Sequence, residues 1–398
     1  MVCRSLRMRS IQTVAHLDTE ASGVAYVVPR LARSLAGAGC RTEVFALAGE
    51  RTIDFSGAAV STFAADRLPL RGLRKLGRST AMRDALLRAP AEVYHAHGLW
   101  MMPNVYPADA ARAAGRPFIL SPHGMLGAEA LQFSRLPKRV FWLLWQKRAL
   151  AGAACLHATS QAEYEDIRRF GLKQPVAIIP NGIDLPDLRP VAQGIPARRP
   201  YVLSLGRLHP KKALDRLVSA FAQVAGTSRD WQLRIVGPDD GRTGARLLEQ
   251  VNALGLVDRV SIEGPVFGEA KLALMREAEV FALSSLNENF CMTVAESLAA
   301  GTPVISTRGA PWPDVVTHRC GWWIDHGPDA MAAALAEAMA MAPDERLAMG
   351  ARGREWMERD FDWRSIGKRM CDVYEWALGR QVRPDFVIGG PGPGSGSQ

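Results

Sequence analysis

Short apolar runs alternate with longer amphipathic stretches from one end of this chain to the other, and that alternation limits the fold more than any other feature. In the first half the runs are IQTVAHL followed by Val24 to Gly37, TEVFAL, EVYHAHG followed by Ala108 to Gly115, FILSPHG, ACLHATS followed by Gln161 to Phe170, and VAIIPNG. A second series begins at YVLSLGRL (201–208) and continues through WQLRIVG, RVSIEGP, VFALSS and TPVIST. Apolar strands separated by helix-length segments predict a parallel sheet covered by helices on both faces. Two such series predict two Rossmann-like, doubly wound α/β domains, and 398 residues are enough for two cores. The join falls in IPNGIDLPDLRPV (179–191), where Asn181-Gly182 is a turn pair and three prolines oppose continuation of either sheet. The expected domains are therefore 1–182 and 183–362. Helical patterns at 328–342 and 344–358 close the second series, and a last apolar-periodic helix covers 363–380. Residues 381–398, ending in GGPGPGSGSQ, are expected to form a disordered tail, because that composition buries too little apolar surface to fold.

Composition narrows the class. Hydrophobic residues make up 48% and charged residues 22%, and no apolar run reaches the roughly 20 residues that span a bilayer. The basic start MVCRSLRMRS leads into no apolar signal stretch, so a cytoplasmic protein is expected, with Met8 a candidate true start. Six cysteines without a C-x-x-C imply neither a disulfide framework nor a zinc site. The net charge of +9 is unevenly spread: residues 1–183 carry 24 Lys/Arg against 13 Asp/Glu, residues 184–398 carry 25 against 27. The first half therefore faces something anionic: a phosphorylated acceptor, an acidic membrane surface or nucleic acid. Nucleic acid is disfavoured, since no zinc finger, RNP-like or basic-zipper motif accompanies the charge.

Several polar residues stand just past the ends of the strand-like runs. Glu288 and Glu296 flank a strand-to-helix turn in SSLNENFCMTVAESLAAGTPVIST (284–307). E-x7-E pairs also occur at Glu269/Glu277 and Glu337/Glu345, so spacing alone decides nothing. Only the 288/296 pair follows an apolar run, crosses a polar turn and enters a helical pattern stopped by Gly301 and Pro303. In open α/β sheets that crevice is where ligands bind, and the N–H groups of Phe290 to Thr293 at the helix start suit a phosphate. The competing reading is two solvated carboxylates on a surface turn. Gly206-Arg207-Leu208-His209-Pro210-Lys211-Lys212 opens a helix at another strand end, where two cations oppose the helix dipole unless an anion sits between them. His95, His97 and His123 end the runs EVYHAHG and FILSPHGM. An H-x-H pair can bind metal, but no third ligand has suitable spacing, and His95 reads as a packed side chain. Asp239-Asp240, between Pro238 and Gly241, reads as a turn. RLPKRVFWLLWQKRAL (135–150) reads either as a core helix with charged ends or as an interfacial helix whose Phe141, Trp142 and Trp145 enter a membrane while Lys138, Arg139, Lys147 and Arg148 meet anionic headgroups.

The 284–307 turn resembles the E-x7-E signature of retaining glycosyltransferases of family 4, the glycosyl transferases group 1, with the GT-B fold, and the resemblance covers nearly the whole chain. It implies two Rossmann-like domains facing across a cleft, the second holding a nucleotide-diphosphate sugar and the first an acceptor, with the last helix crossing back to the first domain. By resemblance Glu288 hydrogen-bonds the sugar hydroxyls and Glu296 the ribose, with Asn289 and Phe290 beside the donor. Arg207 and Lys212 match the family's G-R-L-x-x-x-K-G element and stabilise the departing diphosphate; its closing Gly is Ala213 here. Where the family usually has Gly, this chain has Cys291. Ser22-Gly23-Val24 looks like the family's N-terminal glycine loop beside the donor phosphates, and His123, with His97, lines the reaction centre on the acceptor side. The resemblance also implies a metal-independent reaction with no cofactor beyond the nucleotide sugar. SPHGM, PNGID and GAPWPDVVTHRCGWWID look most like members that build bacterial surface polysaccharide or lipopolysaccharide, which implies a saccharide or lipid-linked acceptor. A non-catalytic nucleotide-sugar binder and a GT-B epimerase or phosphorylase remain alternatives.

Overall fold

The computed structural model describes residues 8–17, 23–49, 57–187, 199–239 and 241–390. The chain divides into two compact units, Met1–Gly182 with Trp363–Gln398, and Ile183–Asp362.

In the first unit, β1 (Met8–Val14), β2 (Cys40–Leu47), β3 (Ala59–Phe63), β4 (Val93–His97), β5 (Phe118–Ser121), β6 (Cys155–Ala158) and β7 (Val176–Ile178) form a parallel sheet in the order β7-β6-β5-β4-β1-β2-β3. The strand order reverses between β1 and β4, so their carboxyl ends splay into a crevice. Edge strand β3 is half exposed, which is why its sequence shows no continuous apolar run. β4, β5 and β6 are buried throughout, including their polar residues His95, His97, Ser121 and His157. The helix Trp363–Ala377 belongs to this unit and lies against the helix Gly23–Gly37. Gly367 permits that approach, since a Cβ there would lie 2.0 Å from Ser34 Oγ.

Residues 381–390 depart from the expected disordered tail. Val387–Ile388 pairs antiparallel with β7, and Arg168 Nη2 donates to the Ile388 carbonyl at 3.3 Å. β7 would otherwise be an open edge with unpaired N–H and C=O groups, and even two residues satisfy part of it. Residues 391–398 lie outside the described residues.

The second unit holds β8 (Tyr201–Leu205), β9 (Gln232–Val236), β10 (Val260–Glu263), β11 (Val280–Leu283), β12 (Val304–Thr307) and β13 (Gly321–Ile324), all parallel, in the order β10-β9-β8-β11-β12-β13. Alternate residues feed two cores: Tyr201 and Leu203 of β8 pack on one face, Val202 on the other. Here the order reverses between β8 and β11, which pair through Val280–Val202 and Phe281–Leu203.

Candidate active site

The crevice at the β8/β11 reversal is lined by Gly206, Arg207, Lys212, Ser284 and Ser285. Two close backbone approaches shape it. A Cβ on Gly237 would fall 1.9 Å from the Gly206 carbonyl oxygen, and one on Gly309 would fall 2.3 Å from that of Ser285, so both positions are closed to other residues. Past β8 the chain makes a 3-10 turn over Pro210–Lys212, capped by His209 Nδ1, which accepts from the Lys211 N–H at 3.1 Å. Ala213 then takes a left-handed conformation at φ 47°, the backbone that the family's glycine at this position would adopt without strain.

That turn brings Lys212 onto Glu288. Lys212 Nζ donates to Glu288 Oε1 at 2.6 Å, with the side chains 21% and 16% exposed. Burial opposes the charge on Lys212, but the Glu288 carboxylate and the hydrogen bond to it outweigh burial and raise its pKa, so the ammonium persists at neutral pH. The loops are tied together by their backbones: Ser284 Oγ donates to the Lys212 carbonyl at 2.8 Å, the Leu286 N–H to that of Lys211 at 2.9 Å, and the Glu288 N–H to that of Gly309 at 2.6 Å. Arg207 projects exposed beside them.

Cys291 caps the helix Met292–Ala299 at φ 67°, again the conformation that favours glycine. Burial pushes its thiol up to about 11, so it stays protonated. The first turn of this helix leaves backbone N–H groups without intrahelical acceptors and directs them, with the helix dipole, toward the loop. Phe290 stands immediately before this helix, with its side chain turned into the core. Its ring is 6% exposed and packs 5.1 Å from Trp312 in an aromatic cluster with Phe361, so only its backbone is available to a ligand. Asn289 is half-buried beside it. Glu296, one turn into the helix, is paired with Lys271 of the helix Gly268–Arg276, whose Nζ lies 2.6 Å from the carboxylate. Nothing in the spacing of KLALMREAE pointed to Lys271, because the pairing depends on two helices packing side by side. The control carboxylates Glu269 and Glu337 are both exposed on the surface.

In the first unit, His97 ends β4 and His123 follows β5. His97 Nδ1 lies 3.0 Å from His123 Nε2, the rings stack at 5.3 Å, and His97 Nε2 donates to Gln12 Oε1 at 2.8 Å. Burial pushes His123 down to about 4 and His97 well below the ordinary histidine value, so both are neutral at pH 7. His123 is held in a left-handed conformation at φ 52° and Gly124 at φ 76°. The following N–H, of Gly124, donates to buried Glu163 Oε1 at 2.6 Å, which fixes the turn that presents His123. Glu163 was not singled out from sequence; its role depends on the helix Gln161–Arg169 passing under the β5 loop. His123 Nδ1 makes no hydrogen bond among the described residues. Gly23 is the exposed first residue of its helix, where a Cβ would meet nothing within 4 Å, while Ser22 lies outside the described residues. Asp239 forms a bridge to Leu208, and Asp240 also lies outside them. Among the described residues no group of three His, Cys, Asp or Glu side chains is placed to hold a metal ion.

The basic segment 135–150 is not one regular helix, and its aromatics face inward. Arg135–Phe141, a π-helical turn Trp142–Gln146 and Lys147–Ala151 follow one another. Phe141 is 3% exposed, Trp145 packs on it at 5.2 Å, and Trp142 packs edge-on against Phe170 at 4.9 Å. The outer face is aliphatic instead: Leu136, Val140, Leu143 and Leu144, together with Phe133, are all exposed.

Residues 188–356 match the family described as glycosyl transferases group 1, and residues 22–182 the glycosyl transferase 4-like domain. The D-inositol 3-phosphate glycosyltransferase of Xylanimonas cellulosilytica is 28% identical over 395 residues, covering 91% of this chain and 93% of that protein. The GDP-mannose:cellobiosyl-diphosphopolyprenol alpha-mannosyltransferase of Xanthomonas campestris is 27% identical over 291 residues, covering 73% and 75%. Sucrose-phosphate synthase from Thermosynechococcus elongatus superposes with a TM-score of 0.74 at 22% identity, covering 94% of this chain and all of that one. Anabaena HepE in complex with UDP-glucose superposes with a TM-score of 0.71 at 20% identity, covering 92% and 99%. With two doubly wound parallel sheets and matching family models over both, the chain belongs to the group 1 glycosyltransferases, family 4, of GT-B fold.

Proposed function

We propose that this glycosyltransferase moves a sugar from a nucleoside-diphosphate donor to a saccharide or lipid-linked acceptor, with retention of anomeric configuration and without a metal ion, in the assembly of surface polysaccharide or lipopolysaccharide. The observation that carries this reading is the Lys212–Glu288 pair, 2.6 Å apart at the β8/β11 reversal with Arg207 beside it. A departing diphosphate gains negative charge, and fixed cations lower the barrier by meeting that charge where it develops. Lys212 has two further N–H donors beyond the one given to Glu288, and Arg207 carries a planar guanidinium suited to bidentate contact with phosphate oxygens. The two cations take the place that a divalent ion holds in other transferases. Glu288, oriented by Lys212, accepts from the donor sugar's hydroxyls. Glu296, oriented by Lys271, accepts from the ribose, and the amides at the start of Met292–Ala299 meet phosphate oxygen. His123 offers a bare Nδ1 to a sugar hydroxyl. That the Anabaena neighbour holds UDP-glucose and the Xanthomonas relative is named for GDP-mannose supports a nucleotide sugar, with either base admissible. The test is a screen of uridine-, guanosine- and adenosine-diphosphate sugars, with and without EDTA, for nucleotide release. Release from one donor that survives EDTA is expected; release only with magnesium or manganese would overturn the assignment of Arg207 and Lys212.

A second element concerns the acceptor. The exposed aliphatic face of 133–144, bordered by exposed Arg135, Arg139, Lys147 and Arg148, suits peripheral docking on an anionic cytoplasmic membrane. No helix among the described residues is long and apolar enough to cross a membrane. Each basic side chain near an anionic surface contributes about 1 kcal/mol, which holds a protein reversibly.

A further inference from the structure

The His123–His97–Gln12 contacts are one end of a buried chain of hydrogen bonds running through the first unit. Gln12 Nε2 donates to the Tyr374 hydroxyl at 3.3 Å, and that hydroxyl lies 2.7 Å from His95 Nδ1. His95 Nε2 lies 2.7 Å from Ser121 Oγ, Ser121 Oγ lies 2.7 Å from His157 Nδ1, and His157 Nε2 lies 2.8 Å from the Ile179 carbonyl oxygen. His95, Gln12, Ser121 and His157 are each 3% exposed or less, so water does not substitute for any link.

The carbonyl fixes the direction of every bond. It can only accept, so His157 carries its proton on Nε2. Burial keeps His157 neutral, down to about 4, and its Nδ1 therefore accepts from Ser121. Having given its one proton, Ser121 accepts from His95 Nε2, and the bare Nδ1 of His95 accepts from Tyr374. Tyr374 in turn must accept from an amide N–H, which orients Gln12 with Oε1 toward His97. His97 then donates through Nε2 and accepts through Nδ1, so His123 must hold its proton on Nε2 and leave Nδ1 bare.

We propose that Tyr374, on the C-terminal helix, with His95 and Ser121 is a positioning relay that locks His123 into the Nε2–H tautomer, so that Nδ1 is always available to accept from a substrate hydroxyl. This rests on the reading of His123 as a sugar-contacting residue, but the tautomer itself can be observed without substrate. An isolated pair of neutral histidines leaves both tautomers open; a chain anchored on a carbonyl leaves one. The helix Trp363–Ala377, distant in sequence from every histidine involved, thereby acts on the site through a single hydroxyl.

The experiment is long-range proton–nitrogen correlation on histidine-labelled protein at neutral pH. The wild type should show His123 as one neutral tautomer, with Nε2 protonated and Nδ1 bare. Tyr374→Phe leaves Gln12 free to flip and should shift both His123 nitrogens toward a mixture, with kcat falling about tenfold while KM for the donor stays within about twofold. Ser121→Ala cuts the chain between His95 and His157 and should show the same mixing, so the test survives if Tyr374→Phe does not fold. A wild-type His123 protonated on Nδ1, or a single unchanged tautomer in both variants, would overturn the relay. Mixing without any loss of turnover would uphold the relay and instead refute the sugar-contacting role of His123. Loss of activity in His123→Ala together with unchanged tautomers in both chain variants would do the reverse.

Discussion

Acid should weaken the first unit steeply, and the buried histidines set how steeply. His95, His97 and His157 are 0%, 2% and 3% exposed. Burial holds His157 down to about 4, and it holds His95 and His97 well below the ordinary histidine value, where their closeness to one another makes a second charge harder still to place. In the unfolded chain each takes up a proton near pH 6.5. The unfolded state thus binds more protons than the native state below that pH, so stability is full above about 6.5 and falls as pH drops toward the folded values. Between about pH 7 and 5.5 each histidine removes about 1.3 kcal/mol, and the three with His123, which burial likewise holds down to about 4, remove about 5 kcal/mol. A typical domain has only about 5–15 kcal/mol in total. The assay is native-state hydrogen exchange on peptides covering β4, β5 and β6, corrected for intrinsic exchange, which reports on this unit alone. His157→Asn keeps an acceptor at the Ser121 end and removes the titrating ring, so it should lessen the loss over this range by about 1.3 kcal/mol. Opening free energies that stay constant over this range in the wild type would refute the neutral, buried assignment of these histidines.

Arg207→Ala and Lys212→Ala should each slow transfer about 100-fold or more, because one charge contact made to a developing diphosphate contributes about 3 kcal/mol; turnover assays on the folded variants decide it. Glu288→Gln and Glu296→Gln should cripple transfer while Glu269→Gln and Glu337→Gln, at exposed positions, leave it near normal; equal losses at all four would remove any special role for the β11 turn. Binding to anionic vesicles should fall as salt rises, and further in a Leu143→Asp/Leu144→Asp variant, since an exposed aliphatic pair anchors what salt cannot screen. Wild type that ignores such vesicles at low salt would leave the 133–144 face without a membrane role.

The two sheets could be read from sequence because parallel strands are buried on both faces and so register as apolar runs: VFALSS became β11 and YVLSL became β8. Edge strand β3, half exposed, carried no such signal. Arg207, Lys212 and Glu288 could be picked out because they stand in the loops beyond strand ends, and Glu296 because it lies in the helix that follows, with the family motif marking all four. What gives them geometry could not: Lys271 reaches Glu296 across two helices, and Gly309 admits the Glu288 loop only through a backbone contact. The same limit applied to His123, whose supporting residues span Gln12 to Tyr374, because long-range polar packing leaves no periodic trace. Residues 135–150 read either as a core helix or as an interfacial one with its aromatics outward, whereas burial of Phe141 and partial burial of Trp142 and Trp145 put the aliphatics outside. The largest apolar side chains had the most to gain from the core.

The central claim, that the β8/β11 crevice holds the donor's diphosphate on Arg207 and Lys212, is tested most directly by calorimetric binding of uridine, guanosine and adenosine diphosphates in the presence of EDTA. One of the three should bind the wild type, and its affinity should drop about 30-fold or more in Lys212→Ala, about 2 kcal/mol for a charge-assisted contact. Affinity that requires a divalent ion, or that is the same in Lys212→Ala, would contradict the account.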